Sequence, residues 1–143
     1  IAKMMGSVQS HQTSNPNSIA QKAAVEALTG PQDSVEKMHA EFDKRRKYMY
    51  KRICDMDLLD TLEPMGAFYV FVDGSAVLGK SYNGTKIESV PQMADILINE
   101  YNTAIVPCAD FGFPDCFRLS YAISIEQIEK GLDRIESFIK ELA

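Results

Sequence analysis

The stretch that decides the fold runs from Thr103 to Ser124 and reads TAIVPCADFGFPDCFRLSYAIS. Two short apolar runs within it, residues 103–106 and 116–122, have the composition of β-strands. The Pro, Gly and Asp residues between the runs indicate a loop. Because this loop has only about nine residues, too few for a crossover helix, the two strands are predicted to pair antiparallel.

Arg118 is the charged residue within the second apolar run. A cation in such a strand is tolerated where a carboxylate, a phosphate or water meets it. Its guanidinium is a rigid, planar fork that fits a carboxylate through two hydrogen bonds. Arg118 is therefore a candidate anchor for a small acid. The local pattern alone equally allows Arg118 to point to the solvent face of an alternating strand.

The periodicity of apolar residues predicts the elements on both sides of this stretch. In order, they are the end of a helix over 1–8, a polar loop over 9–15, a helix from Asn15 to Thr29 and a long amphipathic helix from Asp33 to Met56. A strand over 66–72, an irregular excursion over 74–89 and a helix capped by Ser89 follow. After the two strands comes a helix capped by Ser124, whose apolar residues from Ile125 to Leu142 form one stripe. This order predicts an α+β fold, a two-layer domain with a short, mainly antiparallel sheet covered on one side by helices.

Composition sets the outer bounds of function. The 143 residues, 45% of them hydrophobic, suffice for one domain with a core. A net charge of −5 without a cationic tail argues against nucleic acid or an anionic membrane as the main partner. No apolar run approaches the roughly 20 residues that span a bilayer. Since the chain begins at Ile1 rather than Met, we expect a piece of a longer protein.

The cysteines and histidines offer no obvious site. The three cysteines are Cys54, Cys108 and Cys116. Their odd number and the absence of a Cys-x-x-Cys pair fit neither a disulfide framework nor a metal site, and a reducing cytoplasm is the simplest location. His39 lies on a charged helix face and is expected to be solvated. The basic block 44–47 has acidic neighbours and is interpreted as an ordinary solvated face.

Four motifs stand in a fixed order along the chain. PMGAFY (64–69) precedes VPxxxFG (106–112) and FRLSYA (117–122), and QSHQTSNPNSIAQ (9–21) stands upstream of all of them. This ordered set resembles the C-terminal part of class I pyridoxal-phosphate-dependent aminotransferases of the aspartate aminotransferase type. The resemblance covers nearly the whole chain, with one departure at Cys108, where the family usually has a glycine.

The resemblance implies a homodimeric parent enzyme that uses pyridoxal phosphate to exchange an amino group between an amino acid and a 2-oxo acid. It implies that Arg118 binds the substrate α-carboxylate. Residues 1–31 would be the helices leaving an absent large domain, and 32–143 the small C-terminal domain. A segment near the start would reach the substrate side chain of the neighbouring subunit. Its candidate residues are Ser10, His11, Gln12 and Ser14, none of them the arginine that fixes a dicarboxylate in some relatives.

The groups that perform the chemistry are missing from the sequence. No lysine stands in the Ser-x-Lys-like setting that carries the Schiff base in the family, and the resemblance places the cofactor ligands in the large domain. We therefore expect no catalytic and no cofactor-binding residue in this chain, and no activity from it alone. Two alternatives stay open: a non-catalytic small-acid-binding or regulatory module, and a β-eliminating lyase of the same fold.

Overall fold

This computed structural model describes all residues from 1 to 143, which form five α-helices and six β-strands joined by loops and turns. The helices are α1 (Ala2–Thr13), α2 (Ser18–Thr29), α3 (Asp33–Cys54), α4 (Val90–Tyr101) and α5 (Ile125–Lys140). The strands are β1 (Asp60–Thr61), β2 (Tyr69–Asp73), β3 (Ser81–Tyr82), β4 (Thr85–Lys86), β5 (Val106–Pro107) and β6 (Cys116–Ser120). None of the helices combines the length and the apolar character that crossing a membrane requires.

The chain divides into two compact units, residues 1–38 and 39–143. The first holds α1, α2 and the start of α3, and neither α1 nor α2 has a buried residue. Their apolar side chains are exposed instead, among them Met4, Val25 and Leu28. The predicted division between residues 31 and 32 concerns the parent enzyme and stays a prediction.

The predicted polar loop over 9–15 is wrong, because α1 continues to Thr13. Polar side chains bond from one turn of the helix to the next: Gln9 Nε2 donates to Thr13 Oγ1 at 2.7 Å, and His11 Nδ1 donates to the Ser7 carbonyl oxygen at 2.9 Å. Ser14, with a φ of 59°, ends the helix.

The start of α2 also differs from the prediction. Asn17, two residues after the predicted cap Asn15, is the N-cap. Its Oδ1 accepts from the backbone N–H groups of Ile19 at 2.9 Å and Ala20 at 3.2 Å, which satisfies two of the free donors at the helix start.

The second unit is built on a four-stranded sheet in the order β1-β2-β6-β5, in which every pair is antiparallel. The predicted antiparallel pairing of the two central runs is therefore confirmed, although β5 begins only at Val106, the last residue of the first predicted run. The α+β fold class is confirmed as well. In this register Arg118 stands on β6 between Phe71 of β2 and Val106 of β5. The sheet places Arg118 away from its edges, on an interior strand.

One face of the sheet belongs to the hydrophobic core. Val70 and Val72 of β2 and Phe117 of β6 are fully buried, and Leu119 is 7% exposed. The helices supply the other half of the core through Met49 and Ile53 of α3, Val90, Met93 and Leu97 of α4, and Ile128, Leu132, Ile135, Phe138 and Ile139 of α5. The predicted stripe of α5 is thus confirmed as its buried face.

Both predicted serine caps are confirmed. The Ser89 hydroxyl accepts from the Gln92 N–H at the start of α4, and the Ser124 hydroxyl accepts from the Gln127 N–H at the start of α5, each at 3.4 Å. These bonds fix where each helix begins, and Ser124 lies only four residues after the end of β6. The short connection brings α5 directly back from the strand that carries Arg118.

Residues 74–89 are more regular than the predicted excursion. A 3-10 turn (Ser75–Val77) leads into the β3–β4 hairpin. The hairpin turns at Asn83 and Gly84, whose φ values of 49° and 79° match the two-residue turn that Asn-Gly favours. Val77 and Ile87 are fully buried, so the segment is anchored to the core at both ends of the hairpin.

Candidate functional site

Strand alternation decides where Arg118 points. Successive side chains of a strand face opposite sides of the sheet. Since Phe117 and Leu119 are buried in the core, Arg118 lies on the other face, which we call the open face. This face also carries Tyr69 and Phe71 of β2, and Phe71 is 42% exposed. Arg118 itself is half-buried.

The charge of Arg118 is not compensated within the chain. The ion pairs of the chain are formed by Arg46, Lys47, Arg52 and Lys140. Arg118 takes part in none of them, and its Nε is buried without a hydrogen-bond partner. A buried donor without an acceptor is costly, and more so on a cation. The arrangement therefore suits an anionic ligand that supplies the missing acceptor.

Two aromatic rings lie against the guanidinium of Arg118. The guanidinium carbon Cζ of Arg118 lies 4.4 Å from the ring centroid of Tyr69 and 5.2 Å from that of Phe111. Both distances are within the range of cation–π attraction. Sequence reasoning assigned neither ring a role. Tyr69 is opposite Ser120, two residues along β6 from Arg118, so the strand register would have revealed it as a diagonal neighbour.

Phe111 reaches the site from the loop between β5 and β6. A 3-10 turn (Ala109–Phe111) follows Cys108 and ends at Gly112, whose φ is 85°. Glycine adopts this left-handed conformation at little cost, so the chain can reverse directly after Phe111. Cys108, at the position where the family usually has glycine, has a φ of −109°, which a side chain tolerates. The substitution is therefore compatible with the observed loop.

A cavity of about 300 Å³ adjoins Arg118 between the β5 edge and α5. Lys130 and Arg134 line it, and no carboxylate does. On the other side of the open face, a cavity of about 410 Å³ is lined by Asp60, Glu63 and Asp73. Acidic groups thus collect along β1 and β2, while the surroundings of Arg118 toward α5 remain cationic.

The cysteines do not form a nucleophilic site. Cys108 directly follows β5 and Cys116 begins β6. Both are free thiols, and burial raises the pKa of each. A raised pKa lowers the reactive thiolate fraction at neutral pH. Cys54 is exposed on α3, as is His39.

The four residues predicted near the substrate side chain lie in the first unit. Ser10, His11 and Gln12 are in the last turns of α1, and Ser14 follows the helix. All four are exposed. The bond from His11 to Ser7 is local, so the second ring nitrogen of His11 remains available to a partner. Their predicted role stays a prediction.

The fold and the open face together define an α+β domain with a free cation on a central strand. The family model for aminotransferases of class I and II matches residues 1–135. The chain therefore belongs to the class I and II aminotransferase family, as its motifs predicted.

Individual relatives agree with this assignment. An aspartate aminotransferase of Bacillus sp. (strain YM-2) is 39% identical over 98% of this chain, which spans 35% of that protein. An aspartate/prephenate aminotransferase of Cereibacter sphaeroides is 38% identical over 100% of the chain and 36% of its own length. The crystal structure of the aspartate aminotransferase from Rhizobium meliloti superposes with a TM-score of 0.90 at 37% identity, covering 99% of this chain and 36% of that one. The chain thus spans about a third of the length of the curated relatives it matches.

Proposed function

We propose that this chain is the C-terminal part of a pyridoxal-phosphate-dependent enzyme that transfers an amino group between an amino acid and a 2-oxo acid. The observation that carries the proposal is the uncompensated Arg118 on the open face, with its unpartnered Nε. In this function, Arg118 binds the α-carboxylate that every amino acid and 2-oxo acid substrate carries. A guanidinium held on a strand both attracts the carboxylate and sets its plane.

The relatives indicate which substrate to test first. Several are named aspartate aminotransferases, and others aspartate/prephenate aminotransferases. L-Aspartate is therefore the amino donor of choice for a first assay. A β-eliminating lyase and a non-catalytic binding module remain the competing functions, and the assay below separates all three.

The cofactor does not fit the residues of this chain. A Schiff-base lysine must be desolvated or activated by neighbours to react as a free amine. No lysine of the chain is buried. Lys80 is partly buried, and all the other lysines are exposed. We therefore assign the pyridoxal phosphate site to the part of the enzyme outside these residues. This chain contributes substrate binding and closure over the site.

The full-length enzyme and the 143-residue chain are expected to differ completely in activity. With pyridoxal phosphate, the full-length enzyme should move the amino group of L-aspartate to 2-oxoglutarate, and borohydride should trap one cofactor per subunit. The chain alone should give neither glutamate nor a stoichiometric adduct, because it lacks a suitable lysine. Mass spectrometry detects both the glutamate product and the borohydride-trapped adduct.

Three other results would contradict parts of this proposal. Release of ammonia without a new amino acid would identify an eliminating lyase. A full-length protein that binds L-aspartate but turns nothing over would identify a binding module. A stoichiometric, borohydride-stable adduct on one lysine of the 143-residue chain would show that the chain holds the cofactor by itself.

The exposed end of α1 is proposed to contact the substrate side chain in the neighbouring subunit of a homodimer. His11→Ala or Gln12→Ala in the full-length enzyme should then change the preference among amino acids by about threefold to tenfold, the effect of one polar contact. The kcat for the best substrate should change less. Steady-state kinetics on a panel of acidic, aromatic and aliphatic amino acids gives the comparison.

His39→Ala is the matched control, since His39 is also an exposed histidine on a helix. It should leave the substrate preference unchanged. An equal loss across all amino acids in the His11 and Gln12 variants would instead indicate a structural role for the end of α1.

A further inference from the structure

Arg46, Arg52 and Arg118 are held in two different ways. Arg46 pairs with Asp43 and Glu63, and Arg52 pairs with Asp133 and Glu136, at 2.8 to 3.0 Å. A carboxylate partner fixes such a guanidinium but also neutralises it. Arg118 has no carboxylate partner and is flanked by rings instead. The difference matters because a ligand-binding cation must be fixed and yet remain charged.

We propose that Tyr69 and Phe111 are positioning residues for Arg118, a proposal that rests on the carboxylate-binding function above. An aromatic face attracts a guanidinium through its quadrupole and limits the orientations of its plane. Unlike a carboxylate, it accepts none of the N–H groups in a strong hydrogen bond. The rings therefore hold the Arg118 side chain while its N–H donors stay free for the substrate α-carboxylate.

The two rings differ in how firmly they are held. Tyr69 is on β2, is paired with Ser120, and packs against Phe68 with ring centroids 4.4 Å apart. Phe111 is in the turn before Gly112 and is 57% exposed. Tyr69 is also the closer of the two to the guanidinium. Tyr69 is therefore the principal positioning residue, and Phe111 completes the arrangement from the loop.

The test compares two substrates that differ only in the carboxylate. In the full-length enzyme, kcat/KM is measured for L-aspartate and for its α-amide, in which the charge is absent. The ratio of the two values reports how well Arg118 recognises the carboxylate. Loss of a cation–π contact should lower this ratio about threefold to tenfold in Tyr69→Leu, and about twofold to threefold in Phe111→Leu. Tyr69→Phe keeps the ring and should stay within about twofold of the parent ratio.

Phe113→Leu is the matched control for Phe111→Leu. Phe113 lies in the same loop, is 54% exposed, and contacts Phe71 rather than Arg118. It should leave the ratio unchanged. Circular dichroism of each variant verifies that the fold is intact. Loosening of the fold would lower both kcat/KM values alike and would not move the ratio.

Arg118→Ala, measured in parallel, separates this proposal from the one on which it rests. One outcome is a ratio that falls in Arg118→Ala but stays unchanged in Tyr69→Leu and Phe111→Leu. That result would overturn the positioning role and leave the binding role of Arg118 intact. An unchanged ratio in Arg118→Ala itself would overturn both. A ratio that falls in Phe113→Leu as much as in Phe111→Leu would also contradict the specific role of Phe111.

Discussion

Replacing Arg118 by alanine in the full-length enzyme is expected to lower kcat/KM for amino acids about tenfold to a few hundredfold. A hydrogen bond to a charged group contributes about 1.5 to 3 kcal/mol, and about 1.36 kcal/mol corresponds to a factor of ten in rate. The loss should appear in kcat as well as in KM, since the α-carboxylate must be oriented for proton removal from Cα. Steady-state kinetics separates the two constants, and cofactor binding should remain at the parental level.

Two comparison variants make this expectation specific. Arg118→Lys should be a poor substitute, because an ammonium is a point charge that cannot set the plane of a carboxylate. Arg45→Ala is the matched control: Arg45 is also half-buried, lies over the ring of Phe42 at 5.6 Å, and has a buried Nε without a partner, but it is on α3. Near-parental kinetics in both Arg118 variants would show that the substrate carboxylate is bound elsewhere.

The sequence predicted most reliably the elements in which local and tertiary signals agree. Along α5, a serine cap begins the helix and one apolar stripe enters the core, so its start and its buried face both followed from the pattern. The alternation around Arg118 was equally clear, since Phe117 and Leu119 define the core face. What alternation could not decide was whether the opposite face meets solvent or a ligand, because that depends on residues distant in sequence.

The errors fall where polar residues have more than one stable arrangement. Residues 9–13 lack apolar periodicity, yet glutamine and threonine side chains bond along the last turns of α1 and keep it helical. In the 74–89 segment, Asn83-Gly84 was a hairpin signal, but strands of two residues are too short to show alternation. The chain also starts β2 late, at Tyr69, since Ala67 has a φ of 59°.

The aromatic arrangement at Arg118 illustrates the limit of sequence reasoning most directly. Tyr69 and Phe111 are 42 residues apart in the chain and meet only through the β2–β6 pairing and the turn after β5. The motifs that contain them indicated the family. The contact of the two rings with Arg118 depends on ring positions that no local pattern specifies. The proposed role of the rings therefore became visible only in the structure.

Truncation of Phe138 to alanine is expected to have the largest effect on stability, a loss of about 3 to 5 kcal/mol in the free energy of unfolding. Phe138 is fully buried on α5, and its ring centroid lies 5.7 Å from those of both Tyr82 and Tyr101. Its removal leaves a cavity and ends two aromatic contacts at once. Because these contacts join α5 to α4 and to the β3–β4 hairpin, the hairpin should become accessible to proteases as well. Urea unfolding of the 143-residue chain, followed by circular dichroism, measures the loss.

Phe113→Ala removes the same ring from a surface position, where Phe113 is 54% exposed, and should change the free energy of unfolding by less than about 1 kcal/mol. Limited proteolysis should cut the Phe138 variant near Asn83 and Gly84, while the Phe113 variant should resist like the parent. We expect the parent to resist cleavage at this site because the hairpin anchors Val77 and Ile87 are fully buried. Equal stability losses in the two variants would contradict the aromatic cluster of Tyr82, Tyr101 and Phe138 as the link between α5 and the hairpin.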